Sequence, residues 1–165
     1  MSGTMPEHRS RRRPVIGVMG GSVSTAAVDA LAEALGEAIA REGWVLLCGG
    51  RPAGVMEAAS RGAARQGGLV VGVLPGEDPA AASPHVGVAI ATGFGWARNA
   101  VNVLSSTVVV ALPGRSGTLS EIALALGYGR PVLLLGWEEQ PLAGFTLPLF
   151  QSVGAVLAEL RLLTG

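Results

Sequence analysis

The sequence predicts a single-domain α/β protein with a doubly wound parallel sheet and helices on both faces. Short, continuously apolar runs alternate with longer segments of helical periodicity, the pattern of strands that are buried on both faces of a parallel sheet. Glycine accounts for 25 of the 165 residues, and aromatic residues for only 4%. We therefore expect many tight strand-to-helix turns around an aliphatic core.

The first half of the chain predicts three strands and two helices. The strands are continuously apolar and are expected at residues 15–19, 44–48 and 69–75. Apolar residues recur at helical spacing between residues 25 and 42, which predicts the first helix. A second helix is expected at residues 54–66, because the glycine pair at 67–68 would end it.

The second half continues the alternation after the loop "GEDPAAASP". A short strand is possible at residues 86–90, directly after that loop. The remaining predicted strands are residues 107–112 and 131–135, and the remaining predicted helices are residues 96–105, 118–127 and 149–162.

Composition excludes several classes of function. The net charge is zero, with 12 basic and 12 acidic residues, so no charge pattern indicates a nucleic-acid partner. No apolar run is long enough to span a membrane. A single cysteine excludes an internal disulfide framework and favours the cytoplasm. One cysteine and two distant histidines predict no metal site. Residues 1–13 are expected to form a disordered basic tail, and residues 14–165 the domain.

Three glycine-rich loops are predicted at the carboxyl ends of strands, where open parallel sheets bind ligands. They read "GGSVS" (20–24), "GGRPAG" (49–54) and "PGRSGT" (113–118). Glycine lets the backbone approach a ligand, and the helix N-termini that follow favour an anion such as phosphate. Purely structural turns are the alternative. The candidate binding residues are Gly20, Gly21, Ser22, Gly49, Gly50, Arg51, Gly54, Pro113, Gly114, Arg115, Ser116, Gly117 and Thr118.

Two familiar nucleotide-binding patterns do not fit. The first loop lacks the glycine spacing of the dinucleotide fingerprint, and no carboxylate ends the second strand. The loop "GRSGTLS" lacks the lysine of a P-loop, and no lysine occurs anywhere in the chain. Any phosphate contact must therefore be made by arginine or by the backbone.

Glu121 is open to two interpretations. Thr118 and Glu121 have the spacing of a capping box, in which the glutamate would only close a helix start. Alternatively, a carboxylate at a glycine-loop site would suit sugar hydroxyls, or the positive charge that develops when a glycosidic bond breaks.

The ordered motifs "CGGRPAGVMEAASRGA", "LPG", "TGFG", "ARN" and "PGRSGTLSE" resemble the LOG family of lysine-decarboxylase-like (SLOG) proteins. They are most similar to a bacterial branch of that superfamily without settled function, related to molybdenum cofactor carriers. The resemblance covers residues 14–160. It implies a Rossmann-like fold, a homodimer or larger homo-oligomer, and hydrolysis of nucleoside 5′-monophosphates without a cofactor. It also implies that Arg98 and Glu121 are catalytic, and that Met56 belongs to the second glycine turn.

Some positions depart from the LOG pattern. Asn99 replaces a lysine, Arg51 and Arg115 each replace a glycine, and Ala97 replaces a polar residue. These changes spare the expected catalytic pair but alter the pocket wall. Three hypotheses therefore remain: a phosphoribohydrolase, a non-catalytic binder or carrier of a phosphorylated nucleotide or pterin, and a scaffold whose loops are only turns.

Overall fold

A parallel seven-stranded sheet forms the centre of the fold in a computed structural model that describes residues 12–165. Its strands are β1 (Val15–Met19), β2 (Val45–Cys48), β3 (Val70–Leu74), β4 (Val88–Ala91), β5 (Val108–Ala111), β6 (Val132–Leu135) and β7 (Leu149–Phe150). They lie in the order β4-β3-β2-β1-β5-β6-β7. Strand order therefore reverses at β1, which has β2 on one side and β5 on the other.

Helices cover both faces of this sheet. They are α1 (Ala26–Arg41), α2 (Gly54–Arg65), α3 (Arg98–Leu104), α4 (Ser116–Gly127) and α5 (Val153–Thr164). Alternate residues of each strand face opposite layers, as the pleat requires. Val108 and Val110 pack in the cluster that contains α1, α2 and α5, whereas Val109 and Ala111 pack with α3 and α4. This arrangement confirms the predicted doubly wound α/β fold.

The carboxyl-terminal segment differs from the prediction, which placed a helix from residue 149. Leu149 and Phe150 instead form β7, because the amide of Gly136 donates to the Phe150 carbonyl at 2.9 Å. Helix α5 starts only after Ser152, whose hydroxyl accepts a hydrogen bond from the Ala155 amide. Because β7 is hydrogen-bonded to the sheet, the chain stays in an extended conformation until Ser152, the residue that caps α5.

The other predicted elements lie within a few residues of their expected bounds. The short strand after the loop is present and forms the edge of the sheet as β4. Helix α4 begins at residue 116, two residues earlier than predicted. The predicted disordered tail lies outside the described residues, except for Arg12 and Arg13, which are exposed. Across residues 12–165, none of the helices has the length and apolar character that crossing a bilayer requires.

Candidate functional site

A cavity of about 500 Å³ opens beyond the carboxyl ends of β1 and β5, at the point where strand order reverses. Open parallel sheets bind ligands at this topological position, and the volume suits a small molecule. Most of the predicted site residues line it, namely Gly20, Gly21, Ser22, Gly49, Arg51, Met56, Arg98, Arg115, Ser116, Gly117, Thr118 and Glu121. The three glycine loops therefore converge on one cavity.

Two of the predicted binding glycines hold the loops together instead of lining the cavity. A Cβ at Gly114 would lie 2.0 Å from the Thr118 hydroxyl and 2.8 Å from the Gly21 amide. Gly54 has a φ of +53°, and a Cβ there would lie 2.2 Å from the Gly21 carbonyl. Because both contacts involve the first loop, these glycines bring the second and third loops against it.

Two further predicted residues also lie outside the lining. Pro113 accepts a hydrogen bond from the Gly21 amide at 3.1 Å. Gly50 has a φ of +76° and packs its backbone against Gly72 of β3. Pro113 therefore joins two loops, and Gly50 lets the chain turn. Neither position supports the prediction that these residues contact the ligand.

Helix α4 begins at the cavity. Ser116, Gly117 and Thr118 form its first turn and line the cavity wall. The first amides of a helix have no partner within the helix, and the Arg115 side chain does not cap them. These amides and the positive end of the helix dipole offer a binding position for an anion.

Glu121 is not the end of a capping box. Helix α4 has already begun at Ser116, so Thr118 lies inside it and Glu121 lies in its second turn. The Glu121 carboxylate instead accepts a hydrogen bond from Asn102 Nδ2 at 2.9 Å and lies 3.8 Å from the Arg98 guanidinium. Of the two interpretations, the structural cap is therefore wrong.

Burial dominates the electrostatics of Glu121. The residue is only 6% exposed, and this desolvation raises the pKa of Glu121 to about 7, against the lowering effects of Asn102 and Arg98. Burial likewise lowers the pKa of Arg98, partly offset by Glu121. At 3.8 Å the ion pair is too weak to outweigh desolvation at either group.

A hydrogen-bond network connects Arg98 to the start of α4. Arg98 donates to the Asn99 side chain at 2.8 Å, and Asn99 donates to the Ser120 hydroxyl at 2.9 Å. Ser120 in turn donates to the Gly117 carbonyl at 2.7 Å. The guanidinium also packs against Gly49, where a Cβ would lie 2.9 Å from one of its nitrogens. Arg98 is thus held between the second and third loops.

One donor of Arg98 is both buried and unpaired. Its Nε is buried but has no hydrogen-bond partner among the described residues. Buried polar groups are nearly always hydrogen-bonded in proteins. Because this atom has no surface open to the cavity, a ligand could reach it only if the Arg98 side chain moved.

Sequence reasoning missed part of the cavity wall. The missed lining residues are Val18, Met19, Val23, Pro75, Gly95, Trp96 and Asn99. In the sequence, Asn99 stands out only as a departure from the LOG pattern, and no motif marks Asn102, the partner of Glu121. Their spacing of three residues puts both asparagines on one face of α3, and this was an available signal, because buried asparagines need partners.

Two other polar side chains do not line the cavity. Cys48 is buried, and burial raises the pKa of its thiol. His85 Nε2 lies 3.3 Å from the Glu57 carboxylate. No cluster of metal-ligating side chains occurs in the part of the chain that the structure describes.

Comparison with known proteins identifies the family of this chain. Residues 13–160 match the SLOG cluster4 family. The chain belongs to that family. An uncharacterised protein from Archaeoglobus fulgidus is 42% identical over 120 residues, which are 73% of this chain and 78% of the relative. A cytokinin riboside 5′-monophosphate phosphoribohydrolase from Mycobacterium marinum is 36% identical over 94 residues, 56% of this chain and half of that enzyme.

Solved structures extend the likeness of this SLOG cluster4 protein over nearly its whole length. The molybdenum cofactor binding protein of Rippkaea orientalis is 42% identical, with a TM-score of 0.87 over 94% of this chain and 99% of that one. The molybdenum cofactor carrier protein of Chlamydomonas reinhardtii is 40% identical, with a TM-score of 0.83 over 92% and 98%. The resemblance to LOG-type proteins and the relation to molybdenum cofactor carriers are thus confirmed.

Proposed function

We propose that this protein binds and carries a phosphorylated pterin of the molybdenum cofactor type without cleaving it. One observation carries the proposal: the likeness to two molybdenum cofactor binding proteins spans at least 92% of this chain at 40–42% identity. The match to a phosphoribohydrolase is confined to 56% of the chain. The carrier function is therefore favoured over the hydrolase.

The residues of the cavity suit such a ligand. A phosphate group would bind at the first turn of α4, where amides and the helix dipole favour an anion. Arg51, Arg98 and Arg115 line the same cavity and supply positive charge in a chain that has no lysine. The remaining volume is within the range that small-molecule ligands occupy.

Retention of the cofactor tests this proposal. The full chain is incubated under anaerobic conditions with cofactor released from a molybdoenzyme and is then separated by gel filtration. We expect equal amounts of molybdenum and pterin to elute with the protein, with the pterin detected by its fluorescence after oxidation of the eluted fractions. Elution of the protein without either component would contradict the carrier function.

Gly117 provides a matched pair of variants for the same experiment. Gly117→Asp introduces a carboxylate that suits the helix dipole but repels a phosphate at that turn. Gly117→Ala is the control, because a Cβ there lies 3.6 Å from its nearest neighbour and fits without strain. We expect the aspartate variant to lose the cofactor and the alanine variant to retain it. Equal retention by both would place the anion elsewhere.

The second candidate is hydrolysis of nucleoside 5′-monophosphates. It is favoured by the buried pair of Arg98 and Glu121, which lies beside the anion-binding turn. Arg98 would orient the substrate, and an ionised Glu121 would stabilise the cation that forms as the bond from C1′ to the base breaks. The hydroxyl of a water molecule would then add to C1′ and its proton would pass to the departing base, which gives free base and ribose 5-phosphate.

Release of base from a panel of nucleoside 5′-monophosphates tests the hydrolase. Activity that Glu121→Gln loses and that the remote Glu42→Gln keeps would support it, whereas no release by the wild type would exclude it for that panel. A homodimer or larger homo-oligomer, a cytoplasmic location and the lack of a nucleic-acid partner stay predictions.

A further inference from the structure

An exposed tryptophan forms part of the cavity wall. Trp96 is 69% exposed and lines the cavity, whereas large aromatic side chains are usually well buried. The other two tryptophans are packed into the fold, Trp44 as a buried residue and Trp137 as a half-buried one. Trp44 is only 8% exposed, and Trp137 donates its indole N–H to the Ala111 carbonyl at 2.9 Å. Trp96 therefore has no evident part in holding the fold together.

The backbone that carries Trp96 is nevertheless fixed. Trp96 lies in a 3₁₀ turn at Gly95–Ala97. The Gly95 amide donates to the Pro75 carbonyl at 2.9 Å, and the Gly93 amide donates to the Gly76 carbonyl at 2.9 Å. These bonds tie the turn to the loop after β3. The exposed indole is thus presented from a defined position and not from a free loop.

The indole lies beside the anion-binding turn. A Cβ at Gly117 would lie 3.6 Å from the Trp96 ring, so the ring and the first turn of α4 are in direct proximity. Because Gly117 has no side chain, nothing from that position separates the ring from the cavity. A ligand whose phosphate binds at this turn would have its attached groups within reach of the indole.

We infer that Trp96 determines ligand specificity by stacking on the planar heteroaromatic ring of a phosphorylated ligand. The inference uses the site of the proposed function and names the chemical class that the site selects, a pterin or purine phosphate over a plain sugar phosphate. Indole is the side chain best suited to this task, because it offers a large and rigid π-surface with little conformational entropy to lose.

Calorimetric titration of the full chain tests the inference. The probes are GMP, 6-hydroxymethylpterin monophosphate and ribose 5-phosphate, of which only the last lacks a heteroaromatic ring. For Trp96→Ala we expect the Kd for GMP or for the pterin phosphate to rise about tenfold or more, the usual size of a lost base–aromatic stack. The affinity for ribose 5-phosphate should not change. Trp96→Phe should retain most of the affinity, because it keeps an aromatic face.

Phe94 provides the matched control. It is an aromatic residue at the start of the same 3₁₀ turn and is 63% exposed, but it does not line the cavity. Phe94→Ala should bind all three ligands like the wild type. A heteroaromatic ligand should also quench tryptophan fluorescence in the wild type and much less in Trp96→Phe.

Each outcome has one meaning for Trp96. Equal loss for ring-containing and ring-free ligands would overturn stacking, as would unchanged affinity in Trp96→Ala or a failure of the wild type to bind either ring-containing probe. The carrier proposal is judged separately. A wild type that does not retain molybdenum cofactor, but binds GMP with the expected dependence on Trp96, would refute the carrier and uphold the specificity role.

Discussion

Replacement of Glu121 by glutamine should change how stability depends on pH. Glutamine has nearly the shape of a protonated glutamate, and its carbonyl oxygen can still accept the hydrogen bond that Asn102 donates. It cannot ionise. The variant therefore removes the titration of a buried carboxyl while disturbing its packing little.

The magnitude follows from the shifted pKa. In the unfolded chain the carboxyl has its ordinary pKa of 4.5, whereas burial raises the pKa of Glu121 to about 7 in the folded protein. Between these values the folded state binds more protons than the unfolded state, so the free energy of unfolding falls as pH rises. The full difference is about 3 kcal/mol, and about 2 kcal/mol of it is lost between pH 5.5 and pH 8.5.

Urea denaturation at a series of pH values measures this effect. Other titrating groups contribute equally to both proteins, so they cancel in the difference between Glu121→Gln and the wild type. We expect this difference to move in favour of the variant by about 2 kcal/mol from pH 5.5 to pH 8.5. Glu42→Gln is the contrasting control, because the hydrogen bond from Arg161 lowers the pKa of Glu42 and its ionised form stabilises the fold.

A difference that stays constant with pH would refute the reasoning. It would mean that the Glu121 carboxyl titrates near its ordinary pKa, and hence that the contact with Arg98 or solvent compensates for burial. A change in the dependence of the unfolding free energy on urea concentration, without a change in the midpoint urea concentration, would instead indicate an altered unfolded state.

Three further predictions concern the same architecture. Gly114→Ala should lower the free energy of unfolding by about 1–3 kcal/mol and weaken anion binding, because its Cβ would clash with Thr118 and the first loop. Gly127→Ala is its control, because the space at that position is open, and urea denaturation should show it to be neutral or stabilising. Ser152→Ala should cost about 1 kcal/mol in the same assay, because α5 loses its cap. The affinity for ribose 5-phosphate should fall from pH 7.5 to pH 8.5 in calorimetry, as Glu121 becomes charged, and should fall less in Glu121→Gln.

Most of the fold could be predicted because a strand that is buried on both faces of the sheet appears in the sequence as a continuous apolar run. The strand at Val108–Ala111 is buried throughout, and a continuous apolar run reports that directly. β7 leaves no such signal. It consists of only Leu149 and Phe150, which is too short for a recognisable apolar run, and only pairing with β6 distinguishes them.

The location of the site was predictable, but the roles of its residues were not. Strand ends and glycine loops placed the cavity, yet sequence could not separate Gly117, which lines it, from Gly114, which packs against Thr118. The environment of Glu121 depends on where α4 begins and on the packing of α3 against it. Neither is encoded in the spacing of Thr118 and Glu121.

The ionisation of Glu121 connects the two candidate functions. A carrier of an anionic ligand gains from a neutral carboxyl beside the anion-binding turn, whereas stabilisation of a cationic transition state needs the carboxylate. Because the pKa of Glu121 is about 7, both forms are present near neutral pH. Ligand retention should therefore be strongest below pH 7, while any base release should increase above it. Opposite pH dependences of binding and turnover in the wild type, with a smaller pH dependence of binding and no turnover in Glu121→Gln, would show that one carboxyl governs both.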